Sequence, residues 1–398
     1  MFDNAWWQRD DLSYRDGRLH FAGQDLQAQA ASTGTPAFVY SASRVRANLQ
    51  RLQSALSAAG VAHRVFYAIK ANRFGPLLAA MRSWNLCGID VCSPAEMRLA
   101  LEHGFDEADI SFTGHAVSNS DLDVFARHPR VHVNCDALST IRRLGERCPG
   151  RSIGIRVNPR VGAGYNDRLH YAGAKPSKFG IYRDRFDEAL ALAASFGMKV
   201  TQIHFHFGSG YLTRDLPQLE LALESAEWFI ERCPHVDTLD IGGGMGGPIT
   251  AQHPPLDVAA WAALIARRVQ GRGLKVHLEP GDYLVKDAGA LLCEVNTVEN
   301  KGGVSFAGVN AGFNLQNLWA YYQTPFIVAP LLLRDTRDCE TYTITGNINE
   351  AIDVLAEDVV LPRLQEGDSI ALLNAGGYGA ASSSNHCMRG SFSEHLLD

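Results

Sequence analysis

The chain has 398 residues, of which 37 are lysine or arginine and 43 aspartate or glutamate, giving a formal net charge of −6 with 46% hydrophobic and 20% charged residues. That length exceeds one ordinary core, so two domains or one large barrel with an appended domain is expected, and the mild acidity argues against nucleic acid or an anionic membrane as a partner. Apolar runs stay short of the roughly 18 residues of a membrane span, and the start MFDNAWWQRDDLSYRDG lacks the basic-then-apolar layout of a signal peptide, so a cytoplasmic protein is expected.

In chain order, short strands are expected at RLHFAG and AFVYS, followed by a regular alternation of β-branched runs and helical segments. The strands are VFYAI (65–69), LCGIDVC (86–92), DISFT (109–113), VHVNC (131–135), SIGIRVN (152–158), TQIHFHF (201–207), VDTLDIG (236–242) and KVHLE (275–279). Helical segments such as PAEMRLALEHG, DRFDEALALAASFG and LPQLELALESAEWFIERC lie between them. Eight strands joined by helices are what a closed (β/α)8 TIM barrel requires, because parallel neighbours need crossovers. Past about residue 290, LLCEVNTVEN, VSFAGVN, TYTITG and DSIALLNAG alternate apolar and polar residues, which predicts an antiparallel β-domain completed by the N-terminal segment. The expected division is therefore 41–290 for the barrel, and 1–40 with 291–398 for the β-domain. The eight cysteines, at 87, 92, 135, 148, 233, 293, 339 and 387, form no C-x-x-C pair, so neither a metal site nor a disulfide framework is expected.

In such a barrel, chemistry gathers at the C-terminal ends of the strands. VFYAIKAN ends a buried strand on Lys70, although lysine is among the side chains least often buried. His206 ends strand six, Gly242, Gly243 and Gly244 end strand seven, and Glu279 ends strand eight, so all belong to one rim. Three successive glycines leave backbone amides to converge on a phosphate. A carboxylate at the end of a buried strand calls for a cation or donor facing it. His204 and His206 are expected on opposite sides of their strand, with His206 alone packed on a flat ring. One cofactor satisfies the amine, the glycines, the carboxylate and the flat histidine together: pyridoxal 5'-phosphate, whose ring serves as an electron sink.

VFYAIKAN, GIDVCSPAEMRLALEHGF, KFGI, IHFHFGSG, LDIGGGMG, LEPGDYL and NAGGYGAASSSNHCMRG resemble, in order and spacing, the fold-type III decarboxylases, most closely those acting on diaminopimelate and ornithine. The resemblance covers nearly the whole chain. It implies a PLP-binding barrel plus a β-domain, a homodimer with shared active sites, and loss of the α-carboxylate of an amino-acid substrate as carbon dioxide. It further implies that Lys70 is the Schiff-base lysine, His206 the ring-stacking residue, Ser209 and Gly242 to Gly244 the phosphate binders, and Glu279 the partner of the pyridine nitrogen. Tyr378 resembles a tyrosine that reaches the phosphate from the neighbouring subunit.

Two departures bear on the reaction. Where the family has a cysteine that helps reprotonate Cα, this chain has Asn349, followed by Glu350 and Asp353, so Lys70, water or Cys387 would have to deliver the proton. Asn349 and Glu350 are nonetheless carried as candidate catalytic residues, Glu350 facing a distal ammonium. The family's E-P-G-R has become Glu279-Pro280-Gly281-Asp282, and no arginine occurs between Arg272 and Arg334, which removes the bidentate clamp for a distal carboxylate. These departures lead to the expectation that diaminopimelate is not the substrate, and that a modified amino acid of secondary or siderophore metabolism, free or presented on a carrier protein, takes its place. A PLP racemase, a decarboxylation-dependent transaminase and a non-catalytic regulatory homologue are the alternatives.

Overall fold

The computed structural model describes residues 6–173 and 175–398. Eight parallel strands form a closed barrel: His63–Ala68, Gly88–Val91, Ile110–Thr113, His132–Cys135, Ser152–Arg156, Lys199–His204, Thr238–Asp240 and Lys275–Leu278, here strands one to eight. Strand eight closes on strand one in the register Val276 to His63 and Leu278 to Val65. All eight expected strands are present. Strand six is shorter than its apolar alternation suggests, ending at His204, because the Gly208-Ser209-Gly210 turn pulls the chain away from the ladder.

The helices cover the barrel with one apolar face each. In Leu216–Ile230 the buried residues Leu219, Ala222, Leu223, Ala226 and Phe229 recur at three- and four-residue steps, the signature of a single stripe. Ser93 caps Pro94–Glu102 by accepting from the Glu96 amide, and proline at the first helical position adds a preset φ. The Glu96 carboxylate in turn accepts from the Cys92 amide at 2.6 Å, which pins the end of strand two beside the barrel mouth. Below the mouth the interior is polar and partly cross-linked: Gln202 donates to Asn134 at 2.8 Å, and Asn134 donates to Thr113 at 2.9 Å.

The second body is built around the thirteen-residue strand Gly289–Lys301. Its first half pairs with Ala37–Tyr40 and Ser369–Leu373, and its second half with Val304–Val309. The antiparallel expectation needs correction, because this sheet is mixed: Val304–Val309 runs parallel to Cys339–Thr345, and Ser393–Leu396 runs parallel to Ala37–Tyr40. Among the described residues of the N-terminal segment, only Ala37–Tyr40 enters it. Leu12–Arg15, Arg18–Phe21 and Gln24–Asp25 form a separate three-stranded sheet, held on by Leu12, Leu19, Phe21 and Leu26 packing against Val39, Leu292 and Leu331.

The two bodies meet at the site. Tyr378 donates its amide to the carbonyl of Ala71 at 2.8 Å, and Asn72 donates to the carbonyl of Gly376 at 2.9 Å. The Gly376-Gly377-Tyr378 turn therefore docks directly on the residues that follow Lys70.

Candidate active site

A pocket of about 380 Å3 opens at the C-terminal end of the barrel, lined among others by Lys70, Cys92, Arg156, His206, Glu279 and Tyr378. Strand one ends at Ala68 and turns through Ile69–Ala71, which lifts Lys70 into this pocket while Ile69 and Ala71 stay buried. The Lys70 Nζ lies 3.4 Å from Asp90 Oδ2 and 3.5 Å from Cys92 Sγ. Burial disfavours the charge on Lys70, but Cys92, Asp90, Tyr378 and Glu279 outweigh it and hold the amine well above the ordinary lysine value. Burial pushes the Cys92 thiol up to about 12, so it keeps its proton at neutral pH.

Glu279 sits on the pocket floor, 7% exposed. Its carboxylate accepts from Ser111 at 3.1 Å and meets His204 Nε2 at 3.0 Å. Burial alone would raise Glu279, but His204, in hydrogen-bond contact with it, and then the Lys70 ammonium reverse that and keep it below the usual carboxylate range. Asp240, which accepts the Gly242 amide at 2.9 Å, moves the other way, driven up by burial and then by Glu279. Burial lowers His204, which makes it a neutral donor to Glu279. His206 is lowered further, by burial and by Arg156 and Lys70, and is a neutral flat ring edge-on to Tyr171 at 4.8 Å between centroids.

Several expectations change here. His204 and His206 both line the pocket, because residues two apart on a strand share a face. Of the three glycines, only Gly244 lines it. Gly242 gives its N–H to Asp240 and packs under His206, and a Cβ on Gly243 would strike the Glu279 carbonyl. Gly244 has φ +94°, and a Cβ there would drive into the Gly208 carbonyl, so this wall is bare backbone by necessity. Ser209 lines the pocket as expected. Tyr378 reaches Lys70 from the same chain and not from a neighbouring subunit, carried there by the Ala71 contact. Asn349 and Glu350 do not line the pocket: both are exposed in the loop before Val354–Pro362, where Glu350 meets His386 at 3.3 Å. Asp353 is structural, its two oxygens accepting the amides of Phe313 and Ile348 at 2.6 Å each.

Cys92, Arg156 and His204 line the pocket, and Asp90 lies buried against Lys70; none of the four was selected from the sequence. Asp90 and Cys92 end strand two, so the rule that found Lys70 would have found them. The assembled residues suit pyridoxal phosphate: an amine for its aldehyde carbon, an ionised carboxylate on the floor, a neutral flat ring and a wall cleared of side chain at Gly244.

Residues 42–286 match the pyridoxal-binding domain model of the pyridoxal-dependent decarboxylases. The chain belongs to that family. It is 36% identical over 397 residues to a diaminopimelate decarboxylase of Methanothermobacter thermautotrophicus, covering 95% of this chain and 90% of the relative. A diaminopimelate decarboxylase of Pseudomonas aeruginosa is 33% identical, with 98% and 94% covered. Among solved structures, a diaminopimelate decarboxylase from M. jannaschii in complex with L-lysine superposes with a TM-score of 0.88 at 25% identity, covering 98% of this chain and 93% of that one. This decarboxylase is thus a PLP-dependent carboxy-lyase acting on an amino acid. The relatives count against the expectation that diaminopimelate is excluded, which rested on Asp282 in place of the family's arginine and on the absence of arginine between Arg272 and Arg334.

Proposed function

We propose that the protein removes the α-carboxylate of a diamino acid, with diaminopimelate the first substrate to test, and that it works as a homodimer. The observation that carries the reading is the Lys70 amine set 3.4 Å from Asp90 and 3.5 Å from Cys92, in a pocket floored by an ionised Glu279. Pyridoxal phosphate, when bound, supplies a ring that accepts the electron pair released as carbon dioxide leaves. The chain's own residues do the rest. Lys70 holds the cofactor by its amine, Glu279 offers a carboxylate to the ring nitrogen, and His206 offers a flat neutral face. Ser209, Gly244 and Tyr378 stand at the phosphate end.

Asn349 has no proton to give at neutral pH, and Cys92, a thiol that lines the pocket 3.5 Å from the Lys70 amine, keeps a proton there. Glu350 supplies an anion for a distal ammonium, and because it lies outside its own chain's pocket, a second copy must bring it. If diaminopimelate is the substrate, its distal carboxylate is held without an arginine from 273–333.

Two measurements test this. Purified protein should show an absorption band that borohydride removes and that Lys70→Ala lacks. Incubation with meso-diaminopimelate, lysine and ornithine should release carbon dioxide from at least one, with the amine identified by mass and chirality. A racemised amino acid formed without carbon dioxide would overturn the decarboxylase reading and favour a racemase.

A further inference from the structure

Loss of carbon dioxide from an amino acid consumes a proton. The bond between Cα and the carboxylate breaks, the electron pair stays behind, and Cα must take a proton from the pocket in every turnover. Several of the pocket's side chains are poorly suited to give one. His204 and His206 are lowered by burial and stay neutral, and the Cys92 thiol is pushed up to about 12, far from the neutral range in which an acid catalyst works best.

The same mouth holds a third histidine. His115 lies just past strand three and Asp136 directly follows strand four, so neighbouring strand ends bring the two side chains together. His115 lines the pocket that holds Lys70, and its Nδ1 donates to Asp136 Oδ2 at 2.6 Å. The Asp136 side chain is 1% exposed and its other oxygen has no hydrogen-bond partner, so among the described residues this buried carboxylate is bonded through His115 alone. A buried aspartate that holds one ring nitrogen fixes both the tautomer and the orientation of a histidine, leaving the other nitrogen to exchange protons. That other nitrogen, Nε2, has no hydrogen-bond partner among the described residues. The Phe179 ring, edge-on at 5.5 Å, braces the imidazole, while a third of the His115 side chain stays exposed to water that can reload it.

We propose that His115, positioned by Asp136, delivers the proton that replaces the carboxylate on Cα, the proposal resting on the decarboxylase reading above. The imidazolium gives its Nε2 proton to Cα, is left as the Nδ1–H imidazole, and takes the next proton from water. Each turnover then uses one proton and neither oxidant nor reductant. Asp136 balances the charge of the ring while it carries both protons.

The first test needs no substrate. In 15N-histidine-labelled apoprotein, NMR should show neutral His115 as the Nδ1–H tautomer, and Asp136→Asn should lose that preference; a wild-type ring protonated at Nε2 instead overturns the proposal. The second uses His115→Ala, checked for fold by circular dichroism and for cofactor by its borohydride-sensitive band. Its kcat for carbon dioxide release should fall about 100-fold with KM within about threefold of wild type, and free imidazole should restore the rate in proportion to its concentration while leaving wild type unchanged. A variant within about threefold of wild type in kcat, or a loss that imidazole does not restore, overturns the proposal. Should the Ala variant not fold, Asp136→Asn decides, with a loss of about tenfold or more in kcat at constant KM expected and an unchanged kcat overturning it. Wild type that releases carbon dioxide from no amino acid sinks the decarboxylase reading itself, whereas wild type that works beside a variant that keeps pace sinks this proposal alone.

Discussion

Three carboxyls crowd the pocket floor, and they cannot all be ionised. Glu279 is the one held as an anion, while Asp240 and Asp90 are pushed up, burial being the largest cause for each and Glu279 the next. Asp240 then carries a proton that the unfolded chain would release above the usual aspartate value. The sign follows: the native state binds more protons, so this group's contribution to stability declines as pH rises above about 4. Asp240→Asn keeps an acceptor for the Gly242 amide and cannot ionise, which removes the decline. Urea unfolding at pH 5 and pH 8 should show the variant gaining on wild type at the higher pH, by up to about 1.4 kcal/mol per pH unit, the limit for one proton. A difference that does not change with pH would mean that Asp240 is ionised. Glu279→Gln instead removes the working anion: it should bind the cofactor through Lys70 yet lose activity by about 100-fold or more, measured as carbon dioxide release. The sequence shows Lys70 and Glu279 at strand ends, but not which of three neighbouring carboxyls keeps its charge, because that depends on hydrogen bonds from Ser111 and His204 across the barrel.

At the scale of elements, the barrel was readable because each strand is a short apolar run bounded by a helical stripe. The sheet beyond was less so. Parallel and antiparallel pairings share the same alternation, and the parallel partners of Val304–Val309 and Ala37–Tyr40 are set by distant segments that periodicity does not reveal. The glycine turn was legible only in part for a related reason: LDIGGGMGG announces conformational freedom and close approach, not which amides remain free. Its two kinds of glycine can be separated. Gly244→Ala puts a Cβ into the Gly208 carbonyl at φ +94°, a backbone clash that no rotamer relieves. We expect a loss of about 3 kcal/mol or more in urea unfolding, or failure to fold. Gly247→Ala meets nothing within 4 Å and should stay within about 1 kcal/mol of wild type. Similar losses in both would show that the turn is loosely packed and that Gly244 is not needed for close approach.

For the whole molecule, the decisive fact is a separation. Lys70, Glu279 and Tyr378 share one pocket within the chain, whereas Glu350 and His386 lie together on the exposed face of the β-body, beside Met388, which is 86% exposed. Both groups can serve one reaction only if a second copy brings its β-body to this barrel. That makes a prediction no single chain could satisfy. Lys70→Ala has no amine for the cofactor, and Glu350→Ala lacks the distal anion, so each homodimer should be defective. When the two variants are mixed under exchanging conditions, half of the dimers are hybrids, and in each hybrid one site draws Lys70 from one chain and Glu350 from the other. Activity should rise to about a quarter of wild type, the statistical yield for a two-fold dimer with shared sites. Mixing that leaves activity at the average of the two variants, with dimers demonstrated by sedimentation, would mean that each site is complete in one chain. Glu350 would then be a surface carboxylate paired with His386, and recognition of the distal group would have to be sought near Asp282 and Lys286, inside the chain that holds the cofactor.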